Sequence, residues 1–165
     1  MSNTKLENQM RALEAYSRLV VEPGGWIAVR LDGHRFHRFT HGRFDKPFDE
    51  RFRDLMVVTA RRLMEEFHAL YAYTMSDEIS FLMPSDWGLF GRRVEKIVSV
   101  TSGLASATFT NACGQSAHFD SRIWHGNQIS DVVDYFRWRQ GDAARNALHS
   151  WCYGRCGQRT AASKR

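Results

Sequence analysis

The chain has 165 residues, 43% of them apolar and 13% aromatic, with 12 Gly and only three Pro. That length suits one compact domain able to bury roughly two-thirds of its unfolded surface, which excludes a metal- or disulfide-dependent mini-protein and a disordered or collagen-like chain. Lys and Arg number 23 against 18 Asp and Glu, a formal +5 with the seven His neutral, so the balance favours a polyanionic partner but fits simple solubility as well. No apolar run approaches the roughly 20 residues that cross a bilayer, and Met1 to Arg18 lacks a signal-peptide core, so a cytoplasmic protein without membrane contact is expected. Cys113, Cys152 and Cys156 form an odd set, read as reduced thiols.

In chain order, Leu6 to Leu19 carries apolar residues at helical spacing until Glu22-Pro23-Gly24-Gly25 stops it. Trp26 to Leu31 is rich in strand formers and runs into Asp32-Gly33, a buried strand closing on an acid. From Asp49, a candidate N-cap, to Phe67 the residues Phe52, Leu55, Met56, Thr59, Leu63 and Phe67 share one stripe, which predicts an amphipathic helix. Tyr71 to Met75 and Ile79 to Met83 are expected strands on either side of the acidic turn Ser76-Asp77-Glu78, and Pro84 ends the second. A second helix is expected over Arg92 to Phe109, a last strand over Ala117 to Trp124, and a further helix over Ser130 to Tyr153 with Gly141 as its weak point. This order predicts an α+β fold, a ferredoxin-like βαββαβ sheet with flanking helices packed on one face.

Such a topology lets the first strand's end and the hairpin tip meet, although Asp32 and Asp77 stand 45 residues apart. Two carboxylates with a backbone carbonyl make a hard-oxygen site suited to magnesium beside phosphates. A basic complement is at hand in His34, Arg35, His37 and Arg38, in Lys46, and in Arg92, Arg93 and Lys96 at a helix opening. Taken singly, Asp-Gly after a strand is usually a turn, an acidic hairpin tip is commonly solvated, and Arg92-Arg93 reads as a wet helix face; it is their coincidence that points to phosphoryl or nucleotidyl transfer. His34, His37 and His41 have zinc-like spacing without a shared helical face, and His149, Cys152 and Cys156 lack a fourth ligand, so for both groups the structural reading is preferred. Neither a G-x-S-x-G nor a P-loop motif is present.

The segments Val29 to Phe39, Lys46-Pro47-Phe48-Asp49, Tyr73 to Phe81 and Phe119-Asp120-Ser121-Arg122 resemble, in matching order, the tRNA-His guanylyltransferase family with its bacterial and archaeal tRNA-repair branch. Asp131 to Tyr153 resembles the start of that family's second region, so the likeness spans about residues 5 to 153. It implies a polymerase-type palm over residues 1–129, followed over 130–165 by a shortened helical region with a basic tail. It further implies nucleotide addition to the 5′ end of tRNA in the 3′ to 5′ direction, with ATP and GTP or other nucleoside triphosphates as substrates. Carried over by position, Asp32, Gly33 through its carbonyl, and Asp77 would bind two Mg2+ ions, and Glu78 would be an auxiliary acid. Asp32, Gly33, His34, Arg35, Phe36, His37, Ser76 and Asp77 would hold the nucleotide, while Lys46, Arg93 and Lys96 would contact triphosphate. A homo-dimer or tetramer is implied as well.

Two departures refine this expectation. Where eukaryotic members read H-I-N-N-L-Y-N, this chain has Ala144 to Ser150 (ARNALHS), which favours template-directed 5′-end repair over addition of one guanylate to tRNA-His. Family members also continue well past the position of Tyr153, whereas Gly154 to Arg165 reads as a tail, so the alternative is a shortened palm that binds nucleotide or RNA without turnover. Ferredoxin-like palms with paired acids also occur in cyclases, which leaves nucleotide sensing as a third reading.

Overall fold

The computed structural model describes the backbone of residues 3–162 and the side chains of residues 4–152. Strands β1 (Trp26–Gly33), β2 (Tyr71–Met75), β3 (Glu78–Leu82) and β4 (Phe119–Gly126) form one antiparallel sheet in the order β2-β3-β1-β4. Helix α3 (Glu50–Phe67) connects β1 to β2, and α4 (Val94–Cys113) connects β3 to β4, so each pair of parallel strands is split by a third running the other way. This is the expected ferredoxin-like order. Among the described residues no helix is long and apolar enough to cross a membrane.

Period-2 alternation sends β1 side chains to both faces of the sheet. Ile27, Val29 and Leu31 meet Ile79 and Phe81 of β3, Met56, Leu63 and Phe67 of α3, and Ile97, Ala105 and Phe109 of α4 in one core. The predicted α3 stripe is the buried one, and the Asp49 carboxylate caps the helix by accepting from the Arg51 amide at 2.8 Å. Ala28 lies on the opposite face with Leu82, Val132 and Tyr135, flanked by Trp26, Trp124 and Phe136. Helices on one face only were expected, and here the structure corrects the sequence reading. Val132, Tyr135 and Phe136 belong to α5 (Ile129–Ala162), which covers the second face because the apolar side chains there would otherwise meet water.

Other boundaries moved for physical reasons. The first helix stops at Leu13 (α1, Asn3–Leu13) and a 3-10 turn over Ala15–Arg18 follows; Leu6, Met10, Leu13 and Tyr16 are all exposed, so no packing extends the helix across the break. A short helix that the periodicity did not announce, α2 (Phe36–Thr40), leaves β1 directly. α4 starts at Val94 because Arg92 takes a left-handed conformation (φ 56°) that turns its side chain inward. α5 continues by its backbone to Ala162, through most of the stretch read as a tail; the last three residues lie outside the described residues.

Candidate active site

The end of β1 is built around Gly33. A Cβ there would lie 2.4 Å from the Phe36 ring, so only glycine lets β1 close onto α2. Phe36 in turn sits among Phe39, Phe52, Phe109 and Phe119 with ring centroids 5.0 to 6.1 Å away, a rigid aromatic floor. Above it, the Gly33 amide donates to the Asp77 carbonyl at 3.0 Å, and the His34 amide to the His118 carbonyl at 2.8 Å. The hairpin tip carrying Asp77 is therefore tied to the residue that follows Asp32.

Strand register completes the arrangement. Asp32 stands directly opposite Glu78 on β3 and Asp120 on β4, so all three start from the same face of the sheet. The carboxyl of Asp32 is half-buried, and that burial, joined by the Asp77 and then the Asp120 carboxylates, raises its pKa against the pull of Arg122 and Arg30. Negative charge is thus concentrated beyond what its arginine neighbours neutralise. Among the described residues no three His, Cys, Asp or Glu side chains group closely enough to hold an ion by themselves. Two carboxylates with a main-chain carbonyl still suit a hard dication whose other oxygens come from a phosphate ligand or water.

The raised pKa has a sign that can be tested. The native state binds the Asp32 proton more tightly than the unfolded chain, whose value is near 4, so ionised Asp32 costs stability as pH rises through and above that value. Asp32→Asn is expected to raise the melting temperature at neutral pH without divalent cations. The gain should fade below about pH 4, where both states hold the proton; thermal melts across pH check this.

The other anticipated residues divide. His34, Arg35 and His37 are exposed on the turn and first residues of α2 next to Asp32, Arg35 in a left-handed conformation. Lys46, in the loop leading to α3 at the same end of the sheet, donates to the Thr40 hydroxyl at 3.0 Å. Ser76, with φ 50°, is exposed beside Asp77. Phe36 is only 2% exposed, so its ring is unavailable to a base and only its backbone borders the site.

Glu78 departs from the sequence expectation, belonging to β3 and not to the turn, and its carboxylate is buried. It pairs with Arg139 at 3.0 Å and faces Arg30 at 3.9 Å; burial raises its pKa, opposed by those two arginines. Arg93 and Lys96 are not brought to Asp32. The Val94 amide donates to the Leu19 carbonyl at 2.8 Å and Arg92 reaches Gly25, which places this helix opening at the start of β1. Eight residues of strand, about 23 Å, separate it from the acids. Arg92 itself is neither a wet face nor a phosphate ligand, since it is buried against main-chain carbonyls.

His34, His37 and His41 are exposed, and among the described residues they belong to no group of His, Cys, Asp or Glu able to hold a metal. Cys152 is exposed, not turned to a core, and the Cys156 side chain lies outside the described residues. The sequence gives no site role to Asp120, Arg30, Arg122 or Arg139, whose relation to Asp32 rests on register and on α5's placement. The only local signal was the alternation Arg30-Leu31-Asp32, which puts Arg30 on the acid's own face.

A model of the tRNAHis guanylyltransferase family matches residues 7–127. The chain is 34% identical over 163 residues to the tRNA(His) guanylyltransferase of Neurospora crassa, covering 91% of this chain and 55% of that protein. With tRNA(His) guanylyltransferase 1 of Arabidopsis thaliana it shares 32% over 142 residues, 79% of this chain and 25% of that one, so it spans well under two-thirds of these relatives. Among solved structures, a bacterial tRNA(His) guanylyltransferase-like protein in complex with GTP superposes with a TM-score of 0.85 at 30% identity, covering 92% of this chain and 72% of the other. One in complex with ATP gives 0.84 at 30%, covering 90% and 71%. With the split βαβ sheet, the tethered hairpin acids and a family match through β4 all in agreement, the chain belongs to the tRNAHis guanylyltransferase family.

Proposed function

We propose that this chain is a magnesium-dependent nucleotidyltransferase that adds nucleotides to the 5′ end of tRNA in the 3′ to 5′ direction. The observation that carries the reading is the 3.0 Å bond from the Gly33 amide to the Asp77 carbonyl, which sets two acids at one sheet end above a rigid floor. Asp32 and Asp77 through their carboxylates and Gly33 through its carbonyl would hold two Mg2+ ions; when bound, the ions neutralise phosphate charge and align attacking and leaving oxygens. His34, Arg35, His37 and Lys46 supply cations and donors to a triphosphate of ATP or GTP at that end, with Ser76 and the backbone at Phe36 framing it. Arg93 and Lys96, at the far end, then serve RNA phosphates or the site of a second copy in a dimer or tetramer.

We further read residues 1–129 as the palm and 130–165 as the beginning of a helical region, acting on cytoplasmic tRNA. The departures at Ala144 to Ser150 favour template-directed repair of truncated 5′ ends over guanylylation of tRNA-His. Incubating the protein with 5′-truncated tRNA or intact tRNA-His, labelled nucleoside triphosphates and magnesium tests both. Extension that needs magnesium and runs faster on the truncated substrate is expected. The proposal fails if neither RNA grows.

A further inference from the structure

The magnesium reading leaves unexplained why the Glu78 carboxylate, directly opposite Asp32, takes no part in it. Asp32 and Glu78 are cross-strand partners, so their Cβ atoms start about 5 Å apart on one face. A free Glu78 would place its carboxylate within reach of any cation held by Asp32. Instead its Oε1 accepts from Arg139 Nε at 3.0 Å and from the Ser80 hydroxyl at 3.4 Å, while Arg30 stands 3.9 Å from Oε2. Ser80 is itself held by the Tyr135 hydroxyl at 3.0 Å.

Arg139 is itself fixed by its surroundings. Its side chain is 5% exposed, its guanidinium lies 4.1 Å from the Trp138 ring centroid, and Asp142 one turn along α5 holds its other nitrogen. A buried ion pair is a poor source of stability, since apolar residues of similar size do as well or better, so its position beside the acids calls for another account. Resting on the magnesium reading above, we propose that Arg139 is a positioning residue that draws the Glu78 carboxylate toward α5 and keeps it off a cation held by Asp32 and Asp77, while Asp120, the other acid opposite Asp32, is paired with Arg122 at 3.1 Å. The helix packed on the second sheet face thereby sets the ligand count of a site formed by β1 and the hairpin.

The test separates this role from a merely structural one, which would weaken metal binding and turnover together. Bound Mn2+ is measured by electron paramagnetic resonance in the presence of GTP, alongside 5′-end extension. In R139Q the released Glu78 joins the ion, so Mn2+ affinity should rise at least threefold while kcat falls about tenfold, and E78Q/R139Q should reverse the gain in affinity. E78Q alone should keep Mn2+ affinity within twofold of the parent, and this arm decides the matter if R139Q does not fold. Parental or weaker Mn2+ binding in folded R139Q, or a tenfold loss in E78Q, overturns the inference. If D32N and D77N bind Mn2+ as the parent does, the magnesium reading itself is what fails.

Discussion

Asp77→Asn is expected to lower kcat for 5′-end extension by about a thousandfold, some 4 kcal/mol of transition-state stabilisation, with the fold unchanged. The separation of the two effects follows from how Asp77 is held. Its structural contribution is made by the main chain, whose carbonyl accepts the Gly33 amide at 3.0 Å, and asparagine of the same size keeps that bond. Its chemical contribution is a formal charge, which asparagine lacks, and half of the carboxylate set proposed for the metal goes with it. Extension kinetics under saturating magnesium, with circular dichroism as the control for folding, would measure both. Retention of more than a tenth of parental kcat would show that Asp77 does not serve the metal.

The largest loss of stability is expected at Arg92, away from the site. Its guanidinium is buried, pairs with no carboxylate among the described residues and donates to four carbonyls: Val21 at 3.1 Å, Trp87 at 3.0 Å, Glu22 at 2.6 Å and Gly25 at 3.2 Å. These bonds fasten the loop before β1 to the segment before α4. Arg92→Met fills similar volume but leaves the carbonyls without donors, at about 1 kcal/mol or more apiece, for a total of about 3–5 kcal/mol. Exposed Arg93, next in sequence, should change stability by less than about 0.5 kcal/mol when made Met. Urea midpoints for the two variants give the comparison, and near-equal values would remove the structural role assigned to Arg92.

Arg92 and Arg93 also mark where reading along the chain stops being sufficient. As adjacent cations at a helix opening they look interchangeable; a left-handed backbone at Arg92 sends one into the interior and leaves the other in water. The α3 stripe was legible because Met56, Leu63 and Phe67 repeat at helical spacing behind an Asp49 cap. Five-residue α2 was not, being too short to show a period. Asp32 and Asp77 could be picked out because each closes or follows a strand, and a βαββαβ order brings those places to one edge.

Glu78 shows the complementary case. Nothing local says that its carboxylate will be bound by an arginine 61 residues later, since that depends on α5 crossing the face of the sheet that carries Ala28 and Trp124. Residue order alone dictated the sequence of helices and strands, the buried stripe of α3 and the two acids at strand ends, for these follow from periodicity and turn chemistry within a few neighbouring residues. Folding decided which acids face one another, which arginines stand among them and which lie a strand's length away, because cross-strand register and helix packing are settled only when distant segments bury their apolar faces together.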